Sequence, residues 1–260
     1  MRGTGPADPL RTWFRRRRST VEAGTRVVLF PHAGGSASFF APWHGTLTSS
    51  VDLLVVQYPG HEDRIREAPA ESLVGLADAV AEVMRPLADR PLVLFGHSMG
   101  AALAYEVVRR LESRGLPVRL FASGSHAPHR RRRGHLHLLD NTELTTELRR
   151  LGGTATAVLD DADIRDVVLP TLRADYRLIE TYRHEPGPAL RCPVTVYLGD
   201  GDPDVGVEDA SAWADLTEEA FDIKVFEGDH FYLVDRRDEV VADLQERLRT
   251  PAWPQRSSSV

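Results

Sequence analysis

One five-residue turn, Gly96-His97-Ser98-Met99-Gly100, constrains this chain more than any other stretch. It follows the apolar run Leu92-Val93-Leu94-Phe95 and leads at once into Ala101-Ala102-Leu103-Ala104-Tyr105-Glu106-Val107-Val108. A strand that stops, a serine between two glycines and a helix that starts immediately make the setting of a nucleophile elbow. Glycine on both sides lets the strand and helix backbones pass close beside the serine. The strained turn lifts the Ser98 hydroxyl out of the sheet edge. The helix start behind it offers backbone N–H groups and a positive dipole end to a developing oxyanion. The competing reading is an ordinary turn with Ser98 as a helix cap. A serine alone is a poor nucleophile; it needs a base, an orienting acid and oxyanion donors.

Around the elbow, short apolar runs alternate with amphipathic ones. Strands are expected near 26–30, 52–58, 92–95, 118–123, 194–198 and 221–226. Helices are expected from Ser36 to about Leu47, from Ser72 onward with Leu73, Leu76, Val80, Val83 and Leu87 at helical spacing, from Ala101 to a stop at Gly115, over 207–216 and over 235–248. This rhythm predicts an α/β domain over 21–250. Residues 1–20 read as a flexible arm tacked down by Trp13 and Phe14, with the charge run Arg15 to Arg18 as a solvated face or an acidic-partner contact. Residues 251–260 read as a frayed tail. The rhythm breaks over about 127–188, where helical segments at 141–151 and 163–183, the second bent at Pro170, predict an inserted lid. Such a lid would cover the carboxyl ends of the strands, where open α/β sheets bind ligands.

The formal charge of −6 gives no basic field for nucleic acid. Cys192 is the one cysteine, so no intrachain disulfide forms, and its place at the start of an apolar strand suits a small buried hydrophobe. The arginine-rich start lacks the apolar core of a secretory signal, and no apolar run approaches membrane-spanning length. A cytoplasmic enzyme with no membrane partner is expected, with a monomer as its state. The histidines between His126 and His137 have no cysteine partners and no acidic neighbours in register, so no metal is expected.

Later strand ends supply the rest of a site. His230, in the loop after the last strand, is the candidate base, because an imidazole can take and return a proton near neutrality. His32 precedes the nucleophile and shapes a loop, which disfavours it as base. Asp200, Asp202, Asp204 and Asp229 compete to orient the base. Asp202, held extended by Pro203, is favoured, with Asp200 next. The strand ending in Pro31-His32-Ala33-Gly34-Gly35 leaves backbone amides bare, as an oxyanion hole requires; Ala33 and Met99 are the candidate donors. The order serine, acid, histidine is that of α/β-hydrolases.

These residues resemble the type II thioesterases of polyketide and nonribosomal peptide synthesis, from about Trp13 to Leu248. The resemblance rests on Phe30-Pro31-His32-Ala33-Gly34-Gly35-Ser36-Ala37, on Gln57-Tyr58-Pro59-Gly60 with Asp63-Arg64, and on Phe95-Gly96-His97-Ser98-Met99-Gly100. It rests also on Leu169-Pro170-Thr171-Leu172-Arg173-Ala174-Asp175-Tyr176 with Tyr182, on Gly199-Asp200-Gly201-Asp202-Pro203, and on Gly228-Asp229-His230-Phe231-Tyr232-Leu233. The chain departs from the pattern at Ser125-His126-Ala127-Pro128, where an arginine pair is expected before Ala-Pro.

The resemblance implies an α/β-hydrolase fold, a mostly parallel central sheet flanked by helices with an inserted helical lid. It implies an editing enzyme that hydrolyses stalled or wrongly loaded acyl groups from the phosphopantetheine arm of acyl or peptidyl carrier proteins. Ser98 carries over as nucleophile, His230 as base, Asp202 as orienter, and Met99 and Ala33 as oxyanion donors. No cofactor of its own is implied, since the substrate rides on the partner's phosphopantetheine. Arg130, Arg131, Arg132 and Arg133 at the lid edge are candidates for carrier docking. The alternatives are an esterase or lipase acting on free small-molecule esters, and a non-catalytic subunit with a relic triad.

Overall fold

The computed structural model describes residues 8–18, 23–48, 50–130, 134–151 and 162–249. Seven strands form one sheet in the order β1-β3-β2-β4-β5-β6-β7. They are β1 (Phe14–Arg18), β2 (Thr25–Phe30), β3 (Val51–Val56), β4 (Leu92–His97), β5 (Val118–Ser123), β6 (Val194–Gly199) and β7 (Phe221–Phe226). All neighbours run parallel except β1, which pairs antiparallel with β3.

Strands β2 to β6 are buried on both faces, as expected of parallel strands covered by helices. Alternation decides which face each side chain serves. Val28 and Phe30 pack with α3 (Leu73–Met84) and α4 (Met99–Glu112), whereas Val27 and Leu29 join the opposite cluster. That second cluster holds Phe40, Trp43 and residues Val240, Val241 and Leu244 of the C-terminal helix Arg237–Arg249. The registers Phe30↔Gly96, His97↔Ser123 and Gly199↔Phe226 align the strand carboxyl ends at one edge.

Two sequence expectations change. Residues assigned to the flexible arm instead form a short helix, α1 (Pro9–Trp13), and the edge strand β1. Phe14 is buried opposite Val56, while Arg15 pairs with Asp63 at 2.5 Å and Arg16 with Asp52 at 3.2 Å. An edge strand tolerates charge, which is why the arginine run concealed it. Residues 1–7 and 251–260 lie outside the described residues. The helix expected over 36–47 is a 3-10 turn, Ala37–Phe40, followed by α2 (Trp43–Thr46). Pro42 between them has no N–H with which to continue the first turn.

The break in rhythm between β5 and β6 is a helical lid. It contains α5 (Asn141–Leu151) and α6 (Ala162–Thr181), the latter running through Pro170. Leu144 and Leu148 pack against Leu169 and Leu172 in a small core of the lid's own. Leu178, Ile179 and Tyr182 belong instead to the main core, so the C-terminal part of α6 is anchored to the body.

Candidate active site

The elbow has the close approaches that its glycines permit. A Cβ on Gly96 would lie 2.1 Å from the Gly100 carbonyl oxygen, and one on Gly100 would lie 2.1 Å from that of Phe30. Ser98 has φ 55° and ψ −116°, a conformation that a non-glycine residue rarely adopts. Its N–H donates to the Ser123 carbonyl at 2.8 Å, fastening the turn to β5. Its hydroxyl makes no capping bond to α4, so the cap reading fails.

His230 is buried, and its Nδ1 lies 2.7 Å from Asp202 Oδ2. With a carboxylate as acceptor, Nδ1 carries the proton and Nε2 is left to act as a base. The other Asp202 oxygen accepts the amides of Asp204 at 2.9 Å and Val205 at 3.2 Å. Burial alone would raise the Asp202 carboxyl. The bond from His230, its charge and the two amides outweigh that and hold it below its ordinary value. The competing carboxylates are occupied elsewhere. Asp200 accepts the Gly228 amide at 2.9 Å, Asp229 the Phe231 amide at 2.7 Å, and Asp204 faces Arg150 at 2.9 Å.

Ser98, Met99, Ala33 and His230 line one cavity of about 410 Å³, together with Leu136, Tyr176 and Ile179 from the segment between β5 and β6. Among the described residues, neither the Ala33 nor the Met99 amide donates a hydrogen bond to another group. Both remain available to an oxyanion. The loop carrying Ala33 is held from β3's end. Tyr58 donates its hydroxyl to the Pro31 carbonyl at 3.0 Å, and Gln57 Oε1 accepts the Ala37 amide at 2.9 Å. Gln57 and Tyr58 belong to a sequence motif that by itself assigns them no task. Their buried polar atoms within an apolar strand end were the available signal.

Two further histidines surround His230. The His97 ring centroid is 5.1 Å from that of His230, and its Nδ1 meets Ser123 Oγ at 2.9 Å, which in turn meets the Tyr232 hydroxyl at 2.6 Å. His32 packs edge-on against Phe39 at 4.5 Å and Phe231 at 4.9 Å. Desolvation, with His230 and His61 adding to it, pushes His32 down to about 3. Burial, then His230 and His32, lowers His97 well below the ordinary imidazole value. Both rings therefore favour the neutral form and add no charge beside His230.

Of the arginines proposed for docking, Arg130 is exposed and lies 3.8 Å from Asp215; Arg131, Arg132 and Arg133 are outside the described residues. At the departure from the family pattern, His126 faces Asp209 at 3.5 Å and the Ser125 carbonyl accepts the Trp213 indole at 2.9 Å. Among the described residues no group of three or more His, Cys, Asp or Glu side chains could hold a metal ion, and no helix is long and apolar enough to cross a membrane.

Known proteins resemble this chain in sequence and fold. The chain is 42% identical over 242 residues to a probable cadicidin biosynthesis thioesterase of Streptomyces griseus, covering 93% of this chain and 67% of that protein. The type II thioesterase BorB from the borrelidin biosynthetic cluster superposes with a TM-score of 0.86 at 43% identity, covering 95% of this chain and all of that one. The RedJ thioesterase from the prodiginine pathway of Streptomyces coelicolor superposes with a TM-score of 0.82 at 38% identity, covering 95% of this chain and 91% of that one. The thioesterase domain model matches residues 25–248, from β2 through the C-terminal helix, and the chain belongs to that family.

Proposed function

We propose that this thioesterase is an editing enzyme that hydrolyses aberrant or stalled acyl groups from the phosphopantetheine arm of acyl or peptidyl carrier proteins in secondary-metabolite biosynthesis. Ser98 is the nucleophile, His230 the base and Asp202 its orienter. The observation that carries the chemistry is a strained Ser98 sharing one cavity with a His230 already fixed by Asp202. The substrate class is supported by the relatives, whose names place them in cadicidin, borrelidin and prodiginine biosynthesis.

His230 takes the Ser98 proton as the hydroxyl oxygen attacks the thioester carbonyl. The Ala33 and Met99 amides hold the resulting oxyanion, a contribution of about 3–4 kcal/mol per donor in comparable sites. The tetrahedral intermediate collapses, the C–S bond breaks and the pantetheine thiol leaves. A thiolate is a better leaving group than an amine, so proton return by His230 demands less here than in a peptidase. Water, deprotonated by His230, then attacks the acyl-Ser98 ester, and Ser98 leaves with its proton restored. No step calls on a cofactor of the enzyme's own.

The test is a panel of acyl-loaded carrier proteins against free esters of the same acyl groups, with Ser98→Ala as control. Preferential hydrolysis of the loaded carriers, abolished in Ser98→Ala, is expected. Higher kcat/KM on the free esters would make the enzyme a small-molecule esterase, and failure of a fluorophosphonate to label Ser98 would make it non-catalytic.

A further inference from the structure

The lid helix α6 does more than cover the cavity. Its residue Asp175 is buried, and Oδ2 of that carboxylate accepts two hydrogen bonds. One comes from the Gly34 amide at 2.7 Å, the other from His61 Nε2 at 2.8 Å. The second ring nitrogen of His61 lies 3.0 Å from the Pro59 carbonyl. A carbonyl and a carboxylate both only accept, so His61 donates from both nitrogens and is an imidazolium. Burial would lower its pKa, but the bond and charge of Asp175 and the Pro59 carbonyl reverse this and raise it. One carboxylate oxygen of the lid thus joins a buried cation to a backbone amide of the loop that carries Ala33.

That loop is a tight turn. Gly35 N–H donates to the His32 carbonyl at 2.9 Å, and Gly34 sits at φ 74°, which favours glycine. Gly34 is also wedged against α6, because a Cβ there would lie 2.3 Å from Leu172 Cδ1. Thr171 of the same helix donates its hydroxyl to the Gly60 carbonyl at 3.1 Å. So one turn of α6 grips the Ala33 loop and the Pro59–His61 turn together. Fixing the Gly34 N–H fixes the peptide plane between Ala33 and Gly34. The His32–Gly35 bond fixes the neighbouring peptide plane, between His32 and Ala33, which carries the Ala33 N–H. The two planes meet at the Ala33 Cα, and Ala33 lines the Ser98 cavity.

We infer that Asp175 is a positioning residue for the oxyanion hole, holding the Ala33 amide at the orientation the tetrahedral intermediate needs and thereby making hydrolysis depend on a seated lid helix. This rests on Ala33 being an oxyanion donor, as proposed above. Displacing a preorganised donor loses transition-state stabilisation without equal loss of substrate binding.

The experiment compares wild type, Asp175→Asn and Asp175→Ala on an acyl N-acetylcysteamine thioester, with rates expressed per active site titrated by a fluorophosphonate. Ser98→Ala is assayed in parallel. Asp175→Ala should lower kcat per site by about 10- to 100-fold with KM changed less than about threefold, and Asp175→Asn, which keeps an acceptor oxygen but not the charge, by less. Affinity for a trifluoromethyl ketone, which forms a tetrahedral adduct with the serine, should fall by a similar factor. A merely structural role would lower the melting temperature and the titratable fraction but leave kcat per site intact. A kcat per site within about twofold of wild type, or a rise in KM alone, overturns the inference. If Asp175→Ala does not fold, the same thresholds apply to Asp175→Asn, which matches the native shape. Hydrolysis retained by Ser98→Ala would instead overturn the underlying mechanism, whatever the Asp175 variants do.

Discussion

Arg150 on lid helix α5 reaches Asp204 at 2.9 Å, and the Asp204 amide in turn donates to the Asp202 carboxylate at 2.9 Å. A surface ion pair therefore connects the lid to the segment that carries Asp202, the hydrogen-bond partner of His230. Arg150 also faces Glu147 at 3.0 Å. The two partners of the latch are 48% and 39% exposed, so solvent screening keeps its worth at about 0–1 kcal/mol. Such a bond suits a lid that opens. Hydrogen exchange should be faster in α5 than in strands 92–95 and 194–198. Arg150→Ala should speed α5 further, with the melting temperature nearly unchanged. Equal protection of α5 and the strands would count against a moving lid.

The triad gives the sharpest contrast among substitutions. Ser98→Ala and His230→Ala should fold normally and lose nearly all hydrolysis. Asp202→Asn should lower kcat on the order of 10³- to 10⁴-fold, because the base loses the partner that fixes its tautomer. Asp200→Asn should do much less, since Asp200 holds only the Gly228 amide. Steady-state rates on one acyl thioester decide the matter; if Asp200→Asn proved the more damaging, the acid would be misassigned.

His61 should leave a mark on stability against pH. Its raised pKa means that folding favours the protonated ring, which faces Asp175, Glu62, the Tyr58 ring and, more distantly, His32. The resulting stability is fully present below the unfolded histidine value of about 6.5 and is lost as pH rises through the raised folded value. Melting temperatures of wild type and His61→Gln, followed from about pH 6 to 9, should converge as pH rises. Parallel curves would mean that His61 does not titrate with unfolding.

Tyr182 donates its hydroxyl to Glu106 Oε1 at 2.7 Å, joining the end of the lid to the helix that follows Ser98. Glu106 is buried and also meets Arg110 at 2.6 Å and Arg109 at 3.1 Å, so its charge keeps partners when the tyrosine is truncated. Tyr182→Phe should therefore cost about 1–3 kcal/mol in urea unfolding while leaving kcat near wild type. An unchanged unfolding midpoint would show that the arginines alone satisfy Glu106.

The contrast between what the sequence disclosed and what it withheld has a physical basis. The elbow was legible because steric need forces particular residues: only glycine fits at 96 and 100. The central strands were legible because burial on both faces leaves unbroken apolar runs. Asp202 could be favoured over Asp200 from Pro203 alone, but only the 2.7 Å contact with His230 separates them. Strand β1 was hidden because an edge strand carries charge that looks like a solvated arm. The Asp175–Gly34–His61 contact joins residues up to 141 positions apart in sequence, and no local pattern encodes it.

Docking of an acyl or peptidyl carrier protein would carry an electrostatic requirement. Carriers of this kind are expected to be acidic, and this chain is itself net negative at −6. Overall charge would repel the partner, so attraction must be local. Of the two arginine runs, the first is partly committed: Arg15 and Arg16 lie in β1 and pair with Asp63 and Asp52. In the second, Arg130 is 64% exposed, with Asp215 as a distant partner at 3.8 Å. It precedes in sequence Gly134, His135 and Leu136, which line the Ser98 cavity. Replacing Arg130, Arg131, Arg132 and Arg133 with serine should raise the apparent KM for an acyl-carrier substrate. The same variant should hydrolyse an acyl N-acetylcysteamine thioester at the wild-type rate. Screening confines the attraction to about 8 Å at 0.15 M salt, so the KM difference should shrink as salt rises. Equal loss on both substrates would assign the run to lid structure, and no change on either would leave it a solvated surface.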